Sequence, residues 1–325
     1  MPDTWRYGDT YEWMERLRRG FEPMIVTCAL NGGVQGKESN PALPETPEEL
    51  AQAAYDAWNA GAAAVHVHAR DPENLADCTQ RSDVFLEINA RIRERCPDLI
   101  VNNTTGGGPT VTMDERYEGL EARPELASLN LGPDMSRFRI PPRPAPLPHA
   151  HEGSVYDDCI PFTYGIVEQL ARRMQERAIK PELEVYQPGH FWVSRFLIEE
   201  GLVEPPYFHQ FVMGYQTSSW PTPESLAALV RDLPEGSVYS VCGVGVFQLP
   251  MTAMSTLMGG HVRVGLEDNV YYSRGRKLAG NGEAVERAVR IARELNREIA
   301  SPAQAREILG LGAPRAFELR EGRAA

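Results

Sequence analysis

The chain has 325 residues, 42% of them hydrophobic, with 28 Gly, 26 Pro and five Cys, enough to build a full core without covalent staples in one large or two ordinary domains. Its 33 basic and 45 acidic residues give a net charge of −12, which repels nucleic-acid backbones and anionic lipid headgroups and speaks against both as partners. The start MPDTWRYGDTYEWMERLRRG lacks a signal peptide's apolar core, no run approaches the about 18 apolar residues of a membrane span, and Cys28, Cys78, Cys96, Cys159 and Cys242 are odd in number and nowhere spaced C-x-x-C; the expectation is a cytoplasmic protein with buried, reduced thiols and neither a disulfide framework nor a cysteine zinc knuckle.

Residues 1–20 read as an added amphipathic helix carrying Trp5, Tyr11, Trp13 and Met14, packed on the rest of the chain or on a partner subunit. From there on, short β-branched runs ending in small or polar residues alternate with segments of helical periodicity, the βα pattern of a parallel sheet. Strands are predicted at Met24–Leu30, Ala63–His68, Leu99–Thr104, Leu126–Leu131, Glu182–Tyr186, Phe208–Met213, Val238–Cys242 and Val262–Glu267, and helices at Pro47–Ala60, Ser82–Arg95, Tyr164–Ala178, Thr222–Arg231 and Glu283–Ile299. Eight such strands predict a (β/α)8 TIM barrel over residues 21–325, a fold of about 250 residues. One region breaks the repeat: residues 132–160, after strand four, contain Pro141-Pro142-Arg143-Pro144-Ala145-Pro146-Leu147-Pro148 and are expected to form a long, stiff Pro-rich loop at the barrel rim or a subunit interface. No low-complexity linker divides the chain.

Barrel active sites are built at the C-terminal ends of the strands. Strand two ends Val65-His66-Val67-His68, and alternation turns both imidazoles inward, about 7 Å apart at their Cβ atoms, close enough to converge on one metal ion. In His261-Val262-Arg263-Val264-Gly265-Leu266-Glu267-Asp268-Asn269 the alternation sets His261, Arg263, Gly265 and Glu267 on one face. A charged Arg and Glu facing into a barrel must be paired or coordinated; a structural Arg263–Asp268 bridge is one reading, and Glu267 as metal ligand with Arg263 as anion anchor and Asp268 as general base is the other. Thr104-Thr105-Gly106-Gly107 after strand three and Ser128 and Asn130 in strand four offer amides and hydroxyls to a carboxylate or an enolate. Strand five adds Glu182 and Glu184, of which Glu184, nearer the C-terminal end, is a candidate acid or base.

Together these motifs, above all Gly259-Gly260-His261-Val262-Arg263-Val264-Gly265-Leu266-Glu267-Asp268-Asn269, resemble the β-keto acid cleavage enzymes, typified by 3-keto-5-aminohexanoate cleavage enzyme. The likeness runs from about Glu22 to about Leu311 and includes Pro41–Glu49, leading into the first barrel helix, and Ser301–Leu309 near the end. It implies a (β/α)8 barrel binding Zn²⁺ through His66, His68 and Glu267. It further implies a reaction in which a β-keto acid condenses with acetyl-CoA and the adduct is cleaved in a retro-Claisen step to acetoacetate and a new acyl-CoA. Asp268, held by Arg263, then matches the base, Glu184 an active-site glutamate, and Thr104 and Ser128 exchange hydroxyl types with the typical member while each keeps a donor. Homotetramers are common in the family.

Two positions depart from the pattern. Val34 stands where the aminohexanoate enzyme has an acid that can hold a cationic tail, which argues against the amino-substituted substrate, and Val246-Phe247-Gln248 replaces a more polar, Arg-containing stretch at a coenzyme A contact. The competing readings are an amidohydrolase-type metal-dependent hydrolase, with His209 and Asp268 in its later-strand roles, and a non-catalytic barrel that binds an acyl-CoA or metabolite.

Overall fold

Eight short parallel strands close into a barrel in the computed structural model, which describes residues 9–108 and 110–319. They are β1 (Val26–Ala29), β2 (Ala64–Val67), β3 (Ile100–Asn103), β4 (Leu126–Asn130), β5 (Lys180–Val185), β6 (Tyr207–Met213), β7 (Ser237–Gly243) and β8 (His261–Val264). Closure runs through β1 and β8, which pair in parallel at Val26–Val262, Thr27–Arg263 and Cys28–Val264. The helices are α1 (Thr10–Arg19), α2 (Pro47–Ala60), α3 (Ser82–Arg95), α4 (Tyr164–Glu176), α5 (His190–Glu199), α6 (Pro223–Arg231), α7 (Gln248–Leu257), α8 (Asn281–Glu294) and α9 (Pro302–Leu309), with a 3-10 segment, Glu115–Ala122, between β3 and β4. The expected TIM barrel is the architecture observed. α2 starts where its sequence says it should: Thr46 accepts from the Glu49 amide while the Glu49 carboxylate accepts from the Thr46 amide, which satisfies orphan donors at both positions.

Strand alternation sorts the side chains. Outward, Val65, Val67, Val101, Val262 and Val264 pack in one cluster with α2, α3 and α8, and Leu129, Leu183, Val185, Phe211 and Val241 in a second with α4 to α7. Inward, the floor is apolar: Ile25, Ala64, Ile100, Leu126, Phe208 and Val238 meet, and Ala305 and Leu309 of α9 seal them from below. One step up each strand the interior turns polar, with Asn102, Glu182, Gln210 and Ser240 all buried. Buried polar groups cost stability unless partnered, so this layer signals that the upper barrel is built for chemistry.

Several elements differ from the sequence-based expectation. Residues 134–160 form an antiparallel hairpin, Asp134–Ile140 with Ser154–Ile160, paired from Asp134–Ile160 to Ile140–Ser154, and the Pro-rich run lies at its tip. α5, α7 and α9 were not anticipated: α5 and α7 are short and have no side-chain N-cap, so they lack the usual start signal. α8 stops at Glu294, short of the expected Ile299, and Asn296 follows at φ 55°. Helix α1 buries none of its residues, and Tyr11 and Leu17 are exposed; Trp5 lies outside the described residues. No helix among the described residues is long and apolar enough to cross a membrane.

The hairpin tip is clamped to the barrel by one side chain. Arg143 is 1% exposed and donates to both carboxylate oxygens of Glu45 at 2.7 and 2.8 Å, to Glu38 at 2.8 Å and to the Pro148 carbonyl at 2.7 Å. It thereby ties residues 141–151 to the β1–α2 loop. Removing one partner of a buried ion pair strands the other, at a cost of about 3–5 kcal/mol. Arg143→Met is therefore expected to raise amide exchange by about 100-fold or more in residues 31–46 and 141–151, while β6 and β7 exchange as in the parent; equal protection of those segments in variant and parent would show that the clamp does not hold the rim.

Candidate functional site

A cavity of about 710 Å³ opens at the C-terminal end of the barrel, and His66, His68, Glu184, Arg263, Glu267 and Asp268 all reach it. His66 Nε2 lies 3.8 Å and His68 Nε2 3.3 Å from the Glu267 carboxylate, and one donor atom from each of the three falls within 4.8 Å of the others. Ligand atoms bound tetrahedrally to zinc at about 2.0–2.1 Å lie about 3.3 Å apart, so the spacing suits that ion. Glu267 Oε2 is buried without a hydrogen-bond partner, as an oxygen awaiting a cation would be.

The local fold explains how these groups meet. His66 sits in β2, and His68 just past its end is fixed by Asn31, whose side chain donates to the His68 carbonyl (2.9 Å) and accepts from its amide (3.1 Å). The predicted last strand ended at Glu267, but β8 stops at Val264. Gly265 turns the chain at φ 136°, a position where a Cβ would come within 2.2 Å of the Ala29 carbonyl oxygen, so only glycine fits. Asn269 closes the turn by donating to the Gly265 carbonyl at 3.1 Å. In the turn the consecutive Glu267 and Asp268 both face the cavity, which strict alternation forbids.

Arg263 organises the charge. Its Nε and one terminal nitrogen donate to the two Asp268 oxygens at 3.0 and 2.9 Å, that same nitrogen reaches Glu267 at 2.5 Å, and the other lies 3.7 Å from Glu184. Burial alone would push every carboxyl here upward. At Glu267 the guanidinium, then His68 and His66, overcome burial and hold the carboxyl well below its ordinary range. At Asp268 burial prevails over Arg263 and the pKa rises. Burial likewise pushes Glu184 up to about 8 against the pull of Arg263. Burial drives His66 down to about 3, whereas at His68 the Glu267 charge outweighs it and raises the imidazole to about 9.

The remaining candidates divide. Thr104, Gly106, Gly107 and Asn130 line the cavity. Thr105 and Ser128 do not; they engage each other, the Thr105 amide donating to Ser128 Oγ (3.1 Å) and the Thr105 hydroxyl to the Ser128 carbonyl (2.7 Å). His209 faces the helices, bonded to Ser194 at 2.8 Å, so it cannot serve the site as the hydrolase reading required. Three residues assigned no role from sequence belong to the setting. Glu182 lies beneath His66, 4.0 Å from Nδ1, and accepts from Asn102 at 2.8 Å; its i, i+2 spacing from Glu184 was the available signal. Tyr186 donates to Glu184 at 3.4 Å. Asp134, at the foot of the hairpin, lines the same cavity.

Comparison with known proteins places the chain. Residues 23–311 match the family model of the beta-keto acid cleavage enzyme. The chain is 38% identical over 290 residues to a 3-keto-5-aminohexanoate cleavage enzyme of Fusobacterium nucleatum, covering 89% of this chain and 98% of that one. It is 32% identical over 311 residues to a 3-dehydrocarnitine:acetyl-CoA trimethylamine transferase of Rhizobium meliloti, covering 89% and 96%. Among solved structures, apo ObcA superposes with a TM-score of 0.67 at 20% identity over 84% of this chain and 66% of that one, a likeness of fold. On its sequence and its barrel, the chain belongs to the β-keto acid cleavage enzyme family.

Proposed function

We propose that this enzyme is a zinc-dependent cleavage enzyme that joins a β-keto acid to acetyl-CoA and splits the adduct into acetoacetate and a new acyl-CoA. The observation that carries the reading is the juxtaposition of a carboxylate held at both oxygens, Asp268 on Arg263, with the His66–His68–Glu267 cluster in one cavity. The relatives' names support the substrate class: a 3-keto-5-aminohexanoate cleavage enzyme, and an acetyl-CoA transferase acting on 3-dehydrocarnitine. Residues 21–325 would act as one catalytic unit.

His66, His68 and Glu267 would hold the metal, which when bound polarises the keto and carboxylate oxygens and so acidifies the carbon between them. Asp268 takes the proton from that carbon. Arg263 fixes the carboxylate's direction and balances the charge that builds beside Glu267. Thr104, Asn130 and the Gly106-Gly107 backbone orient the acid, with Thr105 and Ser128 bracing that wall. The carbanion attacks the acetyl carbonyl and coenzyme A leaves as thiolate; the thiolate then attacks the original keto carbon, the carbon–carbon bond breaks, and the acetoacetate carbanion recovers a proton. Glu184, protonated near neutrality by its burial, can supply that proton or a hydrogen bond to the keto oxygen.

The enzyme would work in the reducing cytoplasm, where its five free cysteines stay thiols, and as a homo-oligomer, for which the exposed Trp192 and Trp220 are candidate contact residues. Metal analysis should find about one zinc per chain, and His66→Ala or Glu267→Gln should lose zinc and turnover together. Asp268→Asn should keep its zinc but lose about 10²–10⁴-fold in kcat; full activity would refute the base assignment. Acetoacetate should form only when acetyl-CoA and a β-keto acid are both present, and its appearance without acetyl-CoA, or hydrolysis of an amide, would overturn the reaction.

A further inference from the structure

The cavity has two poles. Arg263 and the His66–His68–Glu267 cluster sit at the β2 and β8 side, and across the mouth, above β4 and β5, lies a pocket of rings walled by Phe138, Tyr156, Phe162, Tyr186 and Tyr215. Tyr186 and Tyr215 meet edge to face with centroids 5.9 Å apart, and Phe138 stacks on Tyr156 at 4.9 Å. Into this box projects Asp134. Its Oδ1 is buried and accepts no hydrogen bond. Its negative charge adds to burial in raising the phenol pKa of Tyr156, Tyr186 and Tyr215, so all three rings stand in its field. The cation acting on Asp134 is Arg116, but that guanidinium is committed to the carbonyls of Thr105 and Val111 at 3.1 Å each and forms no ion pair with Asp134 among the described residues.

A half-buried carboxylate whose inner oxygen is unpartnered, set among aromatic rings, is the chemistry that recognises an organic cation: the charge is met by the carboxylate and the alkyl groups by ring quadrupoles. We propose that the cavity selects β-keto acids whose far end carries an ammonium group, alkylated or not, with Asp134 and the Tyr156–Tyr186–Tyr215 box as the specificity-determining subsite. This rests on the cleavage reading and deepens it. Val34, which lines the same cavity, offers no charge to such a tail, and the hairpin supplies the carboxylate in its place. Arg139, exposed on the same rim, is the group that would favour an anionic tail.

The test compares 3-dehydrocarnitine, its uncharged isostere 5,5-dimethyl-3-oxohexanoate and the anionic 3-oxoadipate, each with acetyl-CoA and the zinc-loaded enzyme, reading kcat/KM for acetoacetate. The cation is expected to exceed its isostere by about ten-fold or more, mainly through KM. Asp134→Asn should bring that ratio close to one and Asp134→Glu should retain most of it; both acids are read on the same sample, so loss of folded protein cancels. Equal rates for cation and isostere, a preference for 3-oxoadipate, or a preference that survives Asp134→Asn would overturn the subsite while leaving the cleavage reaction standing. Acetoacetate from none of the three would overturn the cleavage reading and the subsite with it.

Discussion

A single guanidinium buried in the barrel mouth conditions everything around it. Arg263 is 4% exposed and touches Asp268, Glu267 and Glu184, and its charge is the main force that holds Glu267 ionised at that depth. Its position is fixed by closure of the barrel, since Thr27 pairs with Arg263 across the β1–β8 seam. The glycine turn at Gly265 then folds the chain back so that two adjacent acids meet the same cation. Sheet closure, turn and charge balance form one constraint: a side chain at position 265 would push the turn into Ala29 and take Glu267 away from the histidines.

The interior is layered to match. Apolar side chains seal the floor, a polar layer follows, and the histidines and carboxylates crown it. This places ionisable groups where burial shifts them apart: Glu267 is held ionised while Glu184 is held protonated near neutrality. Two carboxyls within reach of one arginine therefore have different tasks open to them, one as a ligand and one as a proton donor. The hairpin after β4, tied down through Arg143 and Glu45, roofs the same cavity and brings Asp134 and Tyr156 to it.

Much of this was legible in the residues. The eight strands and their inward faces followed from period-two alternation, and His66 and His68 were readable because i, i+2 on a strand means one face. Alternation also set Glu267 inward, but it could not bring the adjacent Asp268 to the same cavity; the two share the site only because Gly265 ends the strand early. Prolines drew attention to a stiff loop at 141–148 and away from the alternation of Ser136 and Phe138 against Arg137 and Arg139 that makes 134–140 a strand. Asp134 was invisible for the same reason, since its significance lies in rings contributed by the loops after β5 and β6 and by the far strand of the hairpin. Ser128 was placed on the correct face, but its hydroxyl is engaged by the Thr105 amide, a contact that only the three-dimensional packing of β3 against β4 reveals.

The proposed reaction requires the carbon between the keto and carboxylate groups to become a nucleophile toward acetyl-CoA. The direct measurement supplies acetyl-CoA labelled with ¹³C at the carbonyl, together with an unlabelled β-keto acid, and follows the products by NMR. That route puts the label in the keto carbon of acetoacetate and leaves the new acyl-CoA unlabelled. Label in free acetate or in the acyl-CoA product, with unlabelled acetoacetate, would contradict it.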